Sequence, residues 1–462
     1  MASSSAHTIP GVRSIPLTLG LAIAVATVLA DSSVVVLALP DLLSSFDVSI
    51  ERIAWVITAF NLALAVAAVP AAYLAVRAGA GRVAAAGLAS FAAASAVCAA
   101  AGSFDVLLAA RCVQAVSGAA VVCAALALMQ EASATAHRGA TAWAAAAAAG
   151  AALGPAVGGA LTQAFSWRSV FAAQVPLALV PLGFLLVRGG LDGRAEEPPA
   201  RGRPRISPNL ALALVSAALT AALFLLVLLL VRAWGLDPLE AAAVVSAIPA
   251  AALVTARLVP PGSLSRGAAA AGVILIAGGL AALALVPSAD IAWTLAPQVL
   301  IGCGLALTLP ALTGDALAGR GSQTIHGGWT IGARHAGVVL GLVILTPIFT
   351  TDLLTQQDAA QRSGTAIVLN SALSFDAKLR LGDAINHQLQ KAQNRLPDLG
   401  PAFRAQHPSG ADVPVYRRLR RSLSEQVRRA ATHAFSRAFL VAAAIALAAL
   451  VPVAAGRWER GA

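Results

Sequence analysis

Residues 150–159 read GAALGPAVGG, inside an alanine-rich apolar run that extends on both sides. Gly150, Gly154 and Gly158 recur every four residues, which on a helix makes one smooth stripe that lets a second helix come close. Gly159 adds another small position beside it. Pro155 removes a backbone donor and bends the helix. In a bilayer such a bend is tolerated where neighbouring segments satisfy the freed carbonyl. The decamer therefore predicts a bent membrane helix in a tight crossing.

The rest of the chain agrees with a membrane solvent. Its 462 residues are 58% hydrophobic and 11% charged, with a mean hydropathy of +0.80. Soluble domains carry about 25% charged residues. The formal net charge is +11, but the basic residues sit in loops between apolar spans rather than on one compact face, so topology accounts for them and nucleic acid is not expected. Lys378 and Lys391 are the only lysines; the Ala, Arg and Gly usage suggests a GC-rich bacterial genome. Cys98, Cys112, Cys123 and Cys303 lie in apolar spans without CxxC spacing and read as small core residues. No nucleophile elbow, HExxH or phosphate loop is present, so no enzyme, cofactor or metal site is expected.

Spans of about 20 apolar residues are expected at roughly 14–40, 52–76, 83–102, 105–130, 138–163, 167–188, 207–231, 236–258, 266–287, 290–312, 326–350 and 434–456. The first is too long for a signal-peptide core and is read as a span. With the N-terminus inside, the cytoplasmic loops hold Arg13, Arg77, Arg82, Arg138, Arg188, Arg257, Arg266 and Arg320, while the outer short loops hold only Arg52, Arg168 and Arg232. The bias places both termini in the cytoplasm of a bacterial plasma membrane. The polar stretch 189–206 divides the spans six and six and reads as a cytoplasmic linker. The expected architecture is an all-α polytopic membrane protein: an N-terminal six-helix bundle (14–188), a C-terminal one (207–350 with 434–456), and a small extracytoplasmic helical insert (351–433). Within the insert, Tyr416, Leu419, Leu423, Val427 and Ala430 recur at helical spacing beside an arginine-rich face. That face reads as solvated or as contacting anionic head groups.

Ionisable groups inside a span are expensive and are functional candidates by default. Asp31 lies well inside the first span, roughly 6 Å outward of the midplane at the helical rise. A carboxylate there suits proton uptake and release, or a structural ion pair. Arg111, at similar depth in the fourth span, is its natural counter-ion. Arg334 and His335 lie in the eleventh span, facing either a polar cavity or the contact between bundles; His335 could join a proton path. His326 reads as interfacial.

These segments resemble a family. DSSVVVLALP (31–40), RCVQAVSGAA (111–120), GAALGPAVGG followed by SWRSVF (150–171) and WTIGARHAGVVLG (329–341) are similar to the motifs of drug:proton antiporters of the major facilitator superfamily, most closely the subgroup usually built with fourteen helices. The resemblance implies two rocking six-helix bundles and alternating access. It associates Asp31 and Arg111 with proton coupling, adds Gln114 from the fourth-helix motif, and gives Gly150, Gly154, Pro155, Gly158 and Gly159 the antiporter and gating role. The departures are specific. Val36 replaces the motif's Asn, and Ala115 and Ser117 replace two glycines. In the loop after the second span, Ala72 and Val76 replace its Gly and Asp, leaving Arg77, Gly79 and Arg82 as a remnant of the inner latch. The extra helix pair of the subgroup is missing. The sequence is thus read as a monomeric exporter of an apolar or amphipathic small molecule, exchanging it for protons across the lipid bilayer. The alternatives are a lipid or cell-envelope glycolipid exporter that uses the insert for a lipid or envelope partner, and a non-transporting scaffold or receptor.

Overall fold

The computed structural model describes residues 15–133, 135–187, 203–260, 265–318, 321–391, 399–406 and 412–456. The linker at 189–202 and Arg13, Arg188 and Arg320 lie outside them. The described residues form α1 (Ile15–Phe46), α2 (Ile50–Ala78), α3 (Ala80–Ala100), α4 (Phe104–Glu131), α5 (Ala136–Ala164), α6 (Trp167–Val187) and α7 (Ile206–Leu228), the last running into a π-helical turn at Leu229–Ala233. There follow α8 (Pro238–Val245), α9 (Ala247–Leu258), α10 (Arg266–Ala284), α11 (Ala292–Leu317), α12 (Gln323–Leu369), α13 (Phe375–Lys391), α14 (Gly400–Arg404), α15 (Asp412–His433), α16 (Ser436–Ala448) and α17 (Leu450–Ala455). Among the described residues, twelve stretches are long and apolar enough to cross a membrane. Their outward side chains are large and apolar, as at Val66 and Val451, both about 70% exposed; only lipid solvates such a surface.

Local chemistry sets the boundaries. Ser49, Ser103, Thr135, Ser265 and Ser322 each cap a helix by accepting from a backbone N–H three residues on. Gly79 adopts φ 99° in the tight turn between α2 and α3, a conformation that disfavours any side chain. The eighth span is broken between α8 and α9, and the twelfth between α16 and α17. In both, a proline four residues on (Pro249 and Pro452) removes the donor that would bond the carbonyl of the last residue before the break.

Two helical bundles result, α1–α6 and α7–α12 with α16 and α17. Because the spans alternate in direction, the α1–α2, α3–α4, α5–α6 and α7–α8 turns share one face with α13, α14 and α15; we call this the insert face and the opposite one the linker face. One apolar core joins the insert-face half of the first bundle, including Val36, Ile57 and Phe171, to the second bundle at Leu226, Val245 and Leu342. A separate core fills the linker-face half of the first bundle around Leu21, Phe60 and Phe91.

The insert differs from its expected bounds. α12 does not stop near 350 but continues without a break to Leu369. The added segment is therefore built on a helical extension of the eleventh span. Tyr416, Leu419 and Leu423 of α15 bury their stripe against Val368, Leu381, Leu399 and Phe403, while the arginines on the other side of α15 stay exposed at Arg417, Arg418 and Arg421.

Candidate functional site

The crossing read from GAALGPAVGG is present, and it positions the site. A Cβ at Gly150 would lie 2.2 Å from the Ala26 carbonyl oxygen, and one at Gly158 2.3 Å from that of Val34. At Gly154 a Cβ would occupy the space of the Ser33 hydroxyl. The stripe thus seats α5 on the backbone of α1 from Ala26 to Val34, with Asp31 within that stretch. Gly159 faces the other bundle, where a Cβ would lie 2.4 Å from Cβ of Ala242. Pro155 lines a cavity beneath that contact. The SWR sequel anchors the next turn: the Trp167 indole N–H donates to Ser45 Oγ at 3.1 Å, and Arg168 donates to the Ala101 carbonyl at 3.1 Å.

Asp31 and Arg111 are fully buried and paired directly, Arg111 Nη2 to Asp31 Oδ2 at 2.6 Å. The guanidinium also donates to Gln114 Oε1 (2.6 Å) and to the Val56 carbonyl (3.2 Å), and stacks over the Phe60 ring at 4.1 Å. Gln114 Nε2 donates to Gln174 Oε1 (2.6 Å) and to Ser95 Oγ (2.8 Å). Gln174 Nε2 donates to Asp31 Oδ1 (2.9 Å) and closes the ring. Five helices, α1, α2, α3, α4 and α6, thus share one polar knot in an apolar surround. Removing either charge leaves the other buried without compensation.

The second set of residues lies across the bundle interface. A cavity of about 360 Å³ runs between α1, α2 and α5 on one side and α7, α9, α11 and α12 on the other. Ser32 and Ser33, next to Asp31 in the chain, form part of its wall, as do Asn61, Arg334 and His335. His335 Nδ1 donates to Asn61 Oδ1 at 2.6 Å, and Asn61 Nδ2 donates to Ser32 Oγ at 3.1 Å. His335 is therefore joined to the residue adjoining Asp31, not to Asp31 itself.

The remaining expectations sort clearly. Arg77 is exposed on the linker face with its guanidinium 5.8 Å from the Tyr73 ring centroid, Gly79 makes the turn, and Arg82 is exposed. His326, expected at the interface, is buried (3% exposed) in the first turn of α12, where that helix packs on α2 and α4. Sequence reading missed Gln174 and Asn61. Each is a lone amide in an apolar span, which is the signal that could have found it. It also missed a second ion pair, Arg205 to Asp315 at 2.7 Å, at the linker-face end of the second bundle.

The family model described as Major Facilitator Superfamily matches residues 21–342. The chain belongs to that superfamily. It is similar to the multidrug resistance protein Stp of Mycobacterium tuberculosis, 34% identical over 155 residues that make up 33% of this chain and 29% of that protein. It is similar to the multidrug efflux pump LfrA of Mycolicibacterium smegmatis, 33% identical over 35% of this chain and 32% of that protein. The tetracenomycin C resistance and export protein of Streptomyces glaucescens is 27% identical over 40% of this chain and 34% of its own length. The matches thus span about a third of these relatives. Among solved structures, a bacterial homologue of the human lysosomal transporter Spinster, inward-facing and unoccupied, superposes with TM-score 0.60 at 15% identity, covering 99% of this chain and all of that one. The D-xylose–proton symporter superposes with TM-score 0.57 at 13% identity, over 71% of this chain and 88% of that one. The superfamily match covers residues 21–342, which include all four motifs.

Proposed function

We propose that this superfamily member exports an amphipathic small molecule in exchange for protons by alternating access, in a bacterial plasma membrane with both termini cytoplasmic. The observation that carries the reading is the buried Asp31–Arg111–Gln114–Gln174 ring, set against the α5 glycine stripe and one residue from the cavity wall. Protonation of Asp31 cancels the charge that holds Arg111, and the ring must rearrange. The rearrangement acts on α1, whose next residue, Ser32, reaches Asn61 and through it His335 of the other bundle. The named multidrug relatives support an apolar-bodied cargo.

The test is proton-gradient-driven efflux in inverted vesicles. Asp31→Asn is expected to abolish uphill transport while the protein remains in the membrane; unchanged uphill transport by that variant would sink the coupling role.

A second reading, export of a lipid or envelope glycolipid, draws support from a cavity of about 670 Å³ between the insert helices and the end of the second bundle, walled by Leu353, Val368, Leu379, Leu423 and Val427. Gly382 lines it, and a Cβ there would meet nothing within 4 Å. Gly382→Trp should place a bulky side chain in this cavity. Loss of lipid export with intact dye efflux would favour this reading; equal retention of both would reject it.

A further inference from the structure

The basic groups of the packed spans are not all treated alike. Arg111 is paired with Asp31, and Arg205 with Asp315. Arg334 stands in the wall of the cavity between the bundles and has no carboxylate or hydrogen-bond partner among the described residues. The cavity wall contains no Asp or Glu. An uncompensated cation at this depth is costly and is retained where something pairs with it.

We infer that the cargo is an organic acid: an apolar body with one anionic head group, a carboxylate, held by Arg334. The inference rests on the export reading above and adds the sign of the charge. The planar guanidinium fork matches a carboxylate in two parallel hydrogen bonds, which an ammonium cannot do as well. Ser32 and Ser216 supply hydroxyls on the facing walls, and the rest of the lining, such as Leu29, Leu223, Leu305 and Val338, suits an apolar body. The volume of about 360 Å³ falls within the range of small-molecule sites. The same wall argues against cationic cargo. Such a molecule would meet Arg334 with no acid in the lining to offset it, since the nearby Asp31 is already held by Arg111 and Gln174.

The test is binding rather than transport, so it can fail while driven export persists, and succeed while coupling fails. Purified protein in nanodiscs is titrated with 2-naphthoate and pyrene-1-butyrate, each against its amide and its amine of the same skeleton. A charge-assisted pair predicts that the acids bind roughly tenfold or more tighter than the amides, with the amines weakest. Arg334→Gln should erase the preference and Arg334→Lys should keep only part of it. The inference is overturned if neither acid binds the wild type, if an amide or amine binds as tightly as its acid, or if Arg334→Gln retains the preference. Should Arg334→Gln not be recovered folded, the wild-type ratio of acid to amide to amine decides.

Discussion

The two bundles use the same helix crossing and handle charge in opposite ways. In the first, α5 lies on α1 through Gly150, Gly154 and Gly158; in the second, α12 lies on α7, where a Cβ at Gly337 or Gly341 would come 2.0–2.1 Å from the carbonyl oxygens of Ala213 and Ala217. Both contacts bring backbone against backbone. Within the first bundle the charges are sealed into a ring in which every partner is protein. Beside the second crossing, Arg334 faces open space. The contrast separates two tasks. A closed ring with one protonatable carboxylate suits a switch that small solutes cannot reach, whereas a partnerless cation on a cavity wall suits contact with cargo.

The largest expected effect tests that division by stability. Arg111→Ala strands Asp31 in the core and should cost about 3–5 kcal/mol, read as a large fall in Tm of the purified protein. Arg334→Ala removes a charge with nothing to pair and should leave Tm unchanged or raise it. Equal losses at the two arginines would erase the contrast. Next in size, Gly158→Ala and Gly337→Ala force a methyl into backbone of the neighbouring helix, and each should cost about 1–3 kcal/mol. Gly183→Ala on α6, where a Cβ meets nothing within 4 Å, is the control and should be neutral or slightly stabilising. A large loss at Gly158 with none at Gly337 would show that the two crossings are not equivalent.

How much of this was legible follows from range. Span number, the α5 stripe and the pairing of Asp31 with Arg111 rest on local periodicity and on the cost of charge in hydrocarbon, so the sequence carries them. Gln174 and Asn61 were not legible as site residues because their roles depend on partners 143 and 274 positions away. The unbroken α12 was hidden by a change of solvent rather than of structure: the helix leaves the apolar layer near 350 and continues in polar sequence, so hydropathy marks the end of the span and not of the helix. The placement of Arg334 in an acid-free wall needs the fold, since the Asp and Glu residues missing from that wall are present elsewhere in the chain.

The central claim is that Asp31 takes the coupling proton, and infrared difference spectroscopy on the purified, lipid-embedded protein reads it directly. When the buffer is acidified, the wild type should gain the C=O band of a protonated carboxyl in an apolar setting. Asp31→Asn should lack that band, and Asp315→Asn should keep it. The same band in Asp31→Asn, or none in the wild type, would contradict the account.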